Sequence, residues 1–337
     1  MTPIYTALAV LVTFIWGVNF TFIAWGLESF PPLMLTALRF LFTALPLVFF
    51  LKPPTFNRTL LIYAVGTFVI QYGFIFTAMH LGASPGLTAL LLQMQIFITV
   101  LLAYVILGEA VSRIQIIGMM VGVLGLGVIA LNLGGDMPVT GFVCILIAAI
   151  GWSFGNIASK QASAQATLKA AQQKARVSVV ASGTVAANTK ENKASALSAL
   201  ALVAWGGLIA CVFLTLSSLI FETYAWQLAT FTEASMKSWL SLGFIVYIST
   251  LVGFGLWSHL LSKNTASKVM PFALLIPIFG MVTSVLLTGE VVTWWKVLAM
   301  ILILSGLLLA NVKFKLRKNL RTSTGSKESI LDEQINE

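Results

Sequence analysis

Charge is the scarcest property of this sequence. Asp, Glu, Lys and Arg make up 9% of its 337 residues, against roughly 25% in soluble domains. That shortage argues against a water-soluble globular protein and places the chain in a membrane. Acidic side chains are rarer still, 11 against 20 basic, and none is expected inside the apolar runs. A proton relay built on a buried carboxylate therefore has no evident carrier. Histidine and cysteine number two each. His80 and His259 fall near the ends of apolar runs without metal-ligand neighbours. Cys144 and Cys211 fall within such runs, where cysteine acts as a small apolar residue. Neither a disulfide framework nor a metal site is expected. A Walker loop, an H-E-x-x-H, a paired-carboxylate site and a Ser/His/Asp set are also missing. ATPase and hydrolase chemistry are not expected, and nor is a cofactor.

What the chain has in abundance is apolar length. It is 58% hydrophobic, with a mean hydropathy of +0.96. Ten apolar stretches stand near 4–25, 32–51, 59–79, 85–107, 113–131, 140–159, 197–221, 239–261, 268–288 and 293–311. Each approaches the roughly 20 residues that cross a bilayer. Continuous apolar runs satisfy their backbone as helices and not as barrel strands. The expected fold class is an all-α membrane protein of ten transmembrane helices. No positive segment precedes the first run, so 4–25 is read as a retained span and not a cleaved signal. With the N-terminus in the cytoplasm, 17 of the 20 Lys and Arg fall in cytoplasmic loops or the tail. Lys237 and Lys296 fall outside and Arg39 lies in a span, so both termini are placed in the cytoplasm. The net charge of +9 then reflects topology. It is not a nucleic-acid footprint, although the basic tail suits anionic membrane lipid.

The spans repeat. Gly108-Glu109 closes the fourth and Gly289-Glu290 the ninth, 181 positions later, and Gly125 and Gly306 follow at equal distance. Trp16-Gly-Val-Asn19 is echoed by Trp152-Ser-Phe-Gly-Asn156. Five spans per half make the second half inverted relative to the first, the pattern of transporters built from structural repeats. The repeats are placed at 1–131 and 140–311, followed by a cytoplasmic tail at 312–337. A polar stretch at 161–195 reads as a flexible cytoplasmic insertion, partly helical around 162–176. Glu109 and Glu290 are expected to be structural span-end residues, serving helix ends or loops and not proton carriage.

Polar residues inside spans are candidates for the substrate pathway. Trp16 and Asn19 share one helix face, as do Trp152 and Asn156. The two faces either oppose each other across a midplane cavity or glue helices together beside Gly17 and Gly155. Gln93 and Gln95 are two apart, so one is expected to line the pathway while the other bonds a neighbouring helix. Gln71 and Tyr72 are further cavity candidates, Pro277 offers a freed carbonyl or kink, and Trp257 offers an aromatic wall. Arg39 would either attract a substrate carboxylate or anchor the fold by snorkelling and capping carbonyls, the second being the expected role.

Taken together, the ten spans, the Trp-Gly-x-Asn start, Leu38-Arg39-Phe40 and the two Gly-Glu ends resemble the EamA family of the drug/metabolite transporter superfamily. Segments Pro31–Leu35, Leu92–Gln95, Trp152–Asn156, Val252–Trp257 and Leu274–Pro277 resemble its O-acetylserine/cysteine exporter branch. The resemblance covers nearly the whole chain except 161–195 and the tail. The small multidrug transporters that this superfamily resembles carry a carboxylate in their first span, which is absent here. The resemblance implies a non-enzymatic secondary transporter in a bacterial inner membrane that exports small metabolites, such as cysteine or O-acetylserine. The alternatives are a broad drug or nucleobase exporter and, from other classes, a lipid flippase or a membrane scaffold or sensor. A homodimer stays open.

Overall fold

Proline opens the helices that begin at Pro3, Pro32 and Pro85, standing in the first turn, where a backbone N–H is not needed. Asn57, Ser112 and Ser235 begin three others by accepting a backbone N–H three residues on, and Ser112 with Gln115 forms a capping box. Gly108 and Gly289 each end a helix in the left-handed conformation, with φ of 67° and 72°. Glycine adopts that geometry without steric cost, so each Gly-Glu pair is a helix stop.

A computed structural model describes residues 1–54, 57–178 and 188–311, with the side chains of all of these except 163–200, 266, 267 and 311. Its long helices are α1 (Pro3–Gly26), α2 (Pro32–Val48), α3 (Arg58–His80), α4 (Pro85–Leu107), α5 (Arg113–Ala130), α6 (Val139–Ser178), α7 (Asn188–Phe221), α8 (Met236–Lys263), α9 (Met270–Thr288) and α10 (Trp294–Asn311). Eight carry segments long and apolar enough to cross a membrane, and α2 and α10 hold shorter apolar segments. The expected linker is corrected in part: α6 continues to Ser178 and α7 begins at Asn188. Ala, Gln and Lys dominate 161–176, and all three favour helix. The centre of the insertion, 179–187, and the tail from 312 lie outside the described residues.

Packing between the halves obeys a two-fold pattern. Helix α1 packs on α9 as α6 packs on α4, α8 packs on α1 as α3 packs on α6, and α2–α7 and α5–α10 pair directly. At α5–α10 the partners run in opposite directions. A Cβ on Gly118 would meet Gly306 O and Ala310 N, whereas one on Gly125 would meet Ala299 O and Ile303. The two helices are therefore antiparallel, as equivalent helices of inverted repeats must be. The contacts also keep the 181-residue offset, since 118, 122 and 125 correspond to 299, 303 and 306.

Helices α3 and α8 share one irregularity. Each contains a π-helical stretch before its last α segment, Val65–Ile70 in α3 and Phe244–Val252 in α8. Such wide turns shift the facing of the residues that follow and free backbone carbonyls for other donors.

Candidate functional site

Between the halves lies a cavity of about 110 Å³. Its walls come from α1 (Trp16, Asn19, Phe20, Ile23), α2 (Arg39), α3 (Gln71, Tyr72, Ile75), α4 (Ala89, Leu92, Gln93), α6 (Trp152), α8 (Ser249, Phe254) and α9 (Ile276). Apart from Arg39, the polar side chains on this wall are neutral.

Arg39 is 2% exposed. Its guanidinium carbon stands 4.2 Å from the Tyr72 ring centroid, and Nη2 donates to Thr250 Oγ1 at 3.0 Å. The π turn of α8 places that hydroxyl, which itself donates to Ile245 O five residues back. Nε and Nη1 of Arg39 have no partner, and neither have Oδ1 of Asn19 and Oε1 of Gln71. Buried polar groups are normally paired. A wall with two orphaned cationic N–H donors and two orphaned amide oxygens is complementary to a ligand carrying both an anionic acceptor and a cationic donor. The snorkelling and carbonyl capping expected of Arg39 are corrected: the side chain is buried, and its Nη2 bonds a side-chain hydroxyl on α8.

Trp16 closes one wall. Its Nε1 donates to Ser249 O at 3.1 Å, a carbonyl within the π stretch, and its ring leans on Phe254 and Trp257 at 5.5 and 5.1 Å. Gly253 makes room for it, since a Cβ there would stand 2.6 Å from the indole nitrogen.

The structure brings Trp16, Asn19, Arg39, Gln71, Gln93 and Trp152 to the cavity and leaves four other candidates off its lining. Gln95 accepts from Asn156 Nδ2 at 3.0 Å, and the same nitrogen reaches Thr99 Oγ1 at 3.2 Å. Asn156 is therefore interhelical glue between α6 and α4 and does not face Asn19 across a cavity. Trp257 backs Trp16 in an apolar cluster with Ala9, Val12, Leu260 and Val269. Pro277 is buried in the first turn of the α-helical part of α9, Leu275–Thr288, which follows the 3-10 stretch Met270–Leu274, where it costs no α-helical bond.

The two Gly-Glu ends differ from each other. Glu109 is about half exposed and pairs with the exposed Lys160 on α6. Glu290, between the apolar runs 268–288 and 293–311, is buried, 7% exposed. It accepts from Ser84 Oγ at 2.7 Å, Gly86 N at 3.0 Å, Ser284 Oγ at 2.5 Å and Lys296 Nζ at 2.9 Å. Lys296, expected as an external charge, is 0% exposed. It also donates to Asp136 Oδ2 and Val291 O, both at 2.7 Å. Sequence reasoning missed this cluster, although Lys296 falls inside the 293–311 apolar run and was a legible warning. Glu222 went unread too: its carboxylate accepts from the first N–H groups of α2, Leu33 at 2.7 Å and Met34 at 2.9 Å, which favours an anion at that helix start.

Asn19 and Asn156 sit in echoing motifs but meet different surroundings, so their variants should behave differently. Asn156→Ala is expected to cost about 1 kcal/mol of stability, because Gln95 and Thr99 lose a donor, with substrate KM unchanged. Asn19→Ala should raise KM several-fold with little change in thermal stability. Thermal unfolding in detergent and transport kinetics in proteoliposomes check both.

The comparisons with known proteins agree with the architecture. The model of the EamA-like transporter family matches residues 4–131 and 175–312. A "Probable amino-acid metabolite efflux pump" of Salmonella typhimurium is 32% identical over 320 residues, covering 94% of this chain and 97% of the relative. Its namesake in Escherichia coli K12 is 31% identical, covering 94% and 98%. An "Uncharacterized inner membrane transporter", YedA of E. coli K12, is 27% identical, covering 83% and 92%. One solved structure shares the fold, with a TM-score of 0.56 at 17% identity over 91% of this chain and 96% of the other.

Proposed function

Since the chain belongs to the EamA-like transporter family, we propose that it exports amino acids or their derivatives, such as cysteine or O-acetylserine, across a bacterial inner membrane by alternating access. It is a transporter and not an enzyme, and its inner-membrane placement rests on relatives such as YedA. The positive-inside bias supports cytoplasmic termini. The observation that carries the reading is the set of orphaned atoms on the cavity wall. Arg39 Nε and Nη1 would take the substrate carboxylate, and the amide oxygens of Asn19 and Gln71 its ammonium. Phe20, Ile23, Ile75 and Leu92 leave an apolar surface for a short side chain. Two relatives named as amino-acid metabolite efflux pumps support the same class.

Size separates this reading from a broad drug exporter. A cavity of about 110 Å³ falls below the roughly 300–1,000 Å³ of drug-sized pockets. In proteoliposomes loaded with radiolabelled cysteine or O-acetylserine, the protein should accelerate efflux and counterflow over empty liposomes. Absence of movement for these and other small amino acids under any imposed ion or substrate gradient would sink the reading. Saturable efflux of bulky cationic dyes instead would favour the drug exporter.

A further inference from the structure

The ion cluster at Glu290 takes no part in the cavity, yet it holds the most completely buried charge pair among the described residues. Lys296 and Glu290 have side-chain exposures of 0% and 2%. All three ammonium protons of Lys296 have acceptors, Asp136, Glu290 and Val291. The pair itself lies within the second repeat, but the other partners of its two charges reach across the bundle. Glu290 accepts from Ser84 and Gly86 of the first repeat, and Lys296 pairs with Asp136 in the loop between the repeats. Ser84 N also donates to Asp136 O at 2.8 Å, which ties the α5–α6 loop to the start of α4. A Cβ on Gly86 would stand 2.7 Å from Glu290 Oε2, so glycine there lets the carboxylate reach the backbone.

The same end of the bundle carries further ties between the halves. Glu222 caps α2, Lys237 pairs with Glu28, and Ser238 donates to Trp25 O and bonds Ser29. At the opposite end the equivalent glutamate, Glu109, is half exposed and bound to an exposed lysine. The two ends of an inverted pair are therefore in different states, as expected of a protein caught with one side shut.

We propose that Glu290, held by Lys296 and Ser84, with Lys296 in turn held by Asp136, is the latch that shuts the Glu290 end of the transport pathway, and that it must part for the cavity to open there. The latch rests on the alternating-access reading above. It adds that a specific charge cluster, outside the cavity, sets which end is open. Breaking one partner of a buried pair strands the other charge, so such a variant should drive the halves apart at this end. The groups facing Glu290 from each packed element are Ser84 and Gly86 on α4, Ser284 on α9, Lys296 on α10 and, through Lys296, Asp136 in the α5–α6 loop.

The test uses the full chain with Cys144 and Cys211 replaced by alanine and a single cysteine at Ile23, a cavity position. A membrane-impermeant methanethiosulfonate is applied from each side in oriented vesicles. From the Glu290 side, labelling should be slow with the latch intact and rise about tenfold in Glu290→Gln and Lys296→Met, with a fall from the other side. Asp136 is half exposed, so Asp136→Asn is the milder variant if the others do not fold, with a severalfold rise expected. Unchanged labelling in folded variants overturns the latch, and so does lowered thermal stability with unaltered sidedness, which marks a static brace. The proteoliposome assay fails independently of this one. A protein that moves no substrate but changes sidedness loses the function and keeps the latch.

Discussion

Arg39→Met is expected to weaken the proposed amino-acid transport by roughly tenfold to a hundredfold at low substrate and to leave the protein at least as heat-stable as before. Loss of function with no loss of stability is unusual for a side chain 2% exposed, and the reason is electrostatic. Burying an ion costs several kcal/mol unless partners replace its water. Arg39 has one hydrogen bond, to Thr250, and the face of Tyr72. A cation–π contact of about 0.5–2 kcal/mol does not offset that cost. Two of its nitrogens have no partner at all. Methionine fills similar space without charge, so the unfolding temperature of the empty protein should hold or rise.

With substrate the balance reverses. A hydrogen bond to a charged group contributes about 1.5–3 kcal/mol, which is roughly tenfold to a hundredfold in affinity. Substrate should therefore raise the unfolding temperature of the native protein and not that of Arg39→Met. Arg39→Lys keeps the charge and loses the planar fork, so it should transport with a raised KM. Unaltered KM in Arg39→Met would mean that the carboxylate binds elsewhere. A steep fall in stability would mean that Arg39 is a structural strut.

Gly306→Leu is expected to yield no folded protein. Helices α5 and α10 approach so closely that a Cβ on Gly306 would stand 2.5 Å from Gly118 O and 2.7 Å from Gly122 N, and one on Gly118 would stand 2.5 Å from Gly306 O. These neighbours are backbone, so no rotamer change relieves the clash. In lipid, helices associate through such packing because the apolar driving force between them is small. Gly306→Ala and Gly118→Ala should each cost roughly 1–3 kcal/mol, the range of overpacking. Gly127→Ala, on α5 with nothing near its Cβ, is the control and should be neutral or gain up to about 1 kcal/mol in helix propensity. Thermal unfolding followed by size exclusion ranks the three. Equal stability of Gly306→Ala and Gly127→Ala would show that the pair is not held by close approach.

Much of the architecture was readable because a bilayer imposes strong rules on composition. Apolar runs of the right length become helices, and Gly108 and Gly289 mark where two of them stop. The insertion was misread in part because low hydrophobicity says that a segment is not in lipid and does not say that it is unwound. Lys296 was misplaced because counting charges per side treats every span-end lysine as solvated, and only its acceptors show that it is buried. Gln93 lines the cavity and Gln95 meets Asn156, and that assignment depended on the break in α4 around residues 92 and 93.

By itself the sequence determined the ten spans, their class and the two-fold inversion, since hydropathy, charge bias and an odd number of spans per half are properties of the chain. Only the tertiary structure decided which polar residues belong to the site. Asn19 and Asn156 sit in echoing motifs, but Ser153 Oγ donates to Gln95 O and a Cβ on Gly17 would meet Ile276 O, 181 residues on, so Gly17 is the counterpart of Ser153 and Phe20 that of Asn156. Asn156 meets Gln95 and Thr99, whereas Asn19 stands on the cavity wall with Oδ1 unpartnered. The one extra residue between Trp152 and Asn156 turns the second amide toward a neighbouring helix. A side chain's role is set by the partner that folding places against it, and that partner lies in the other half of the chain.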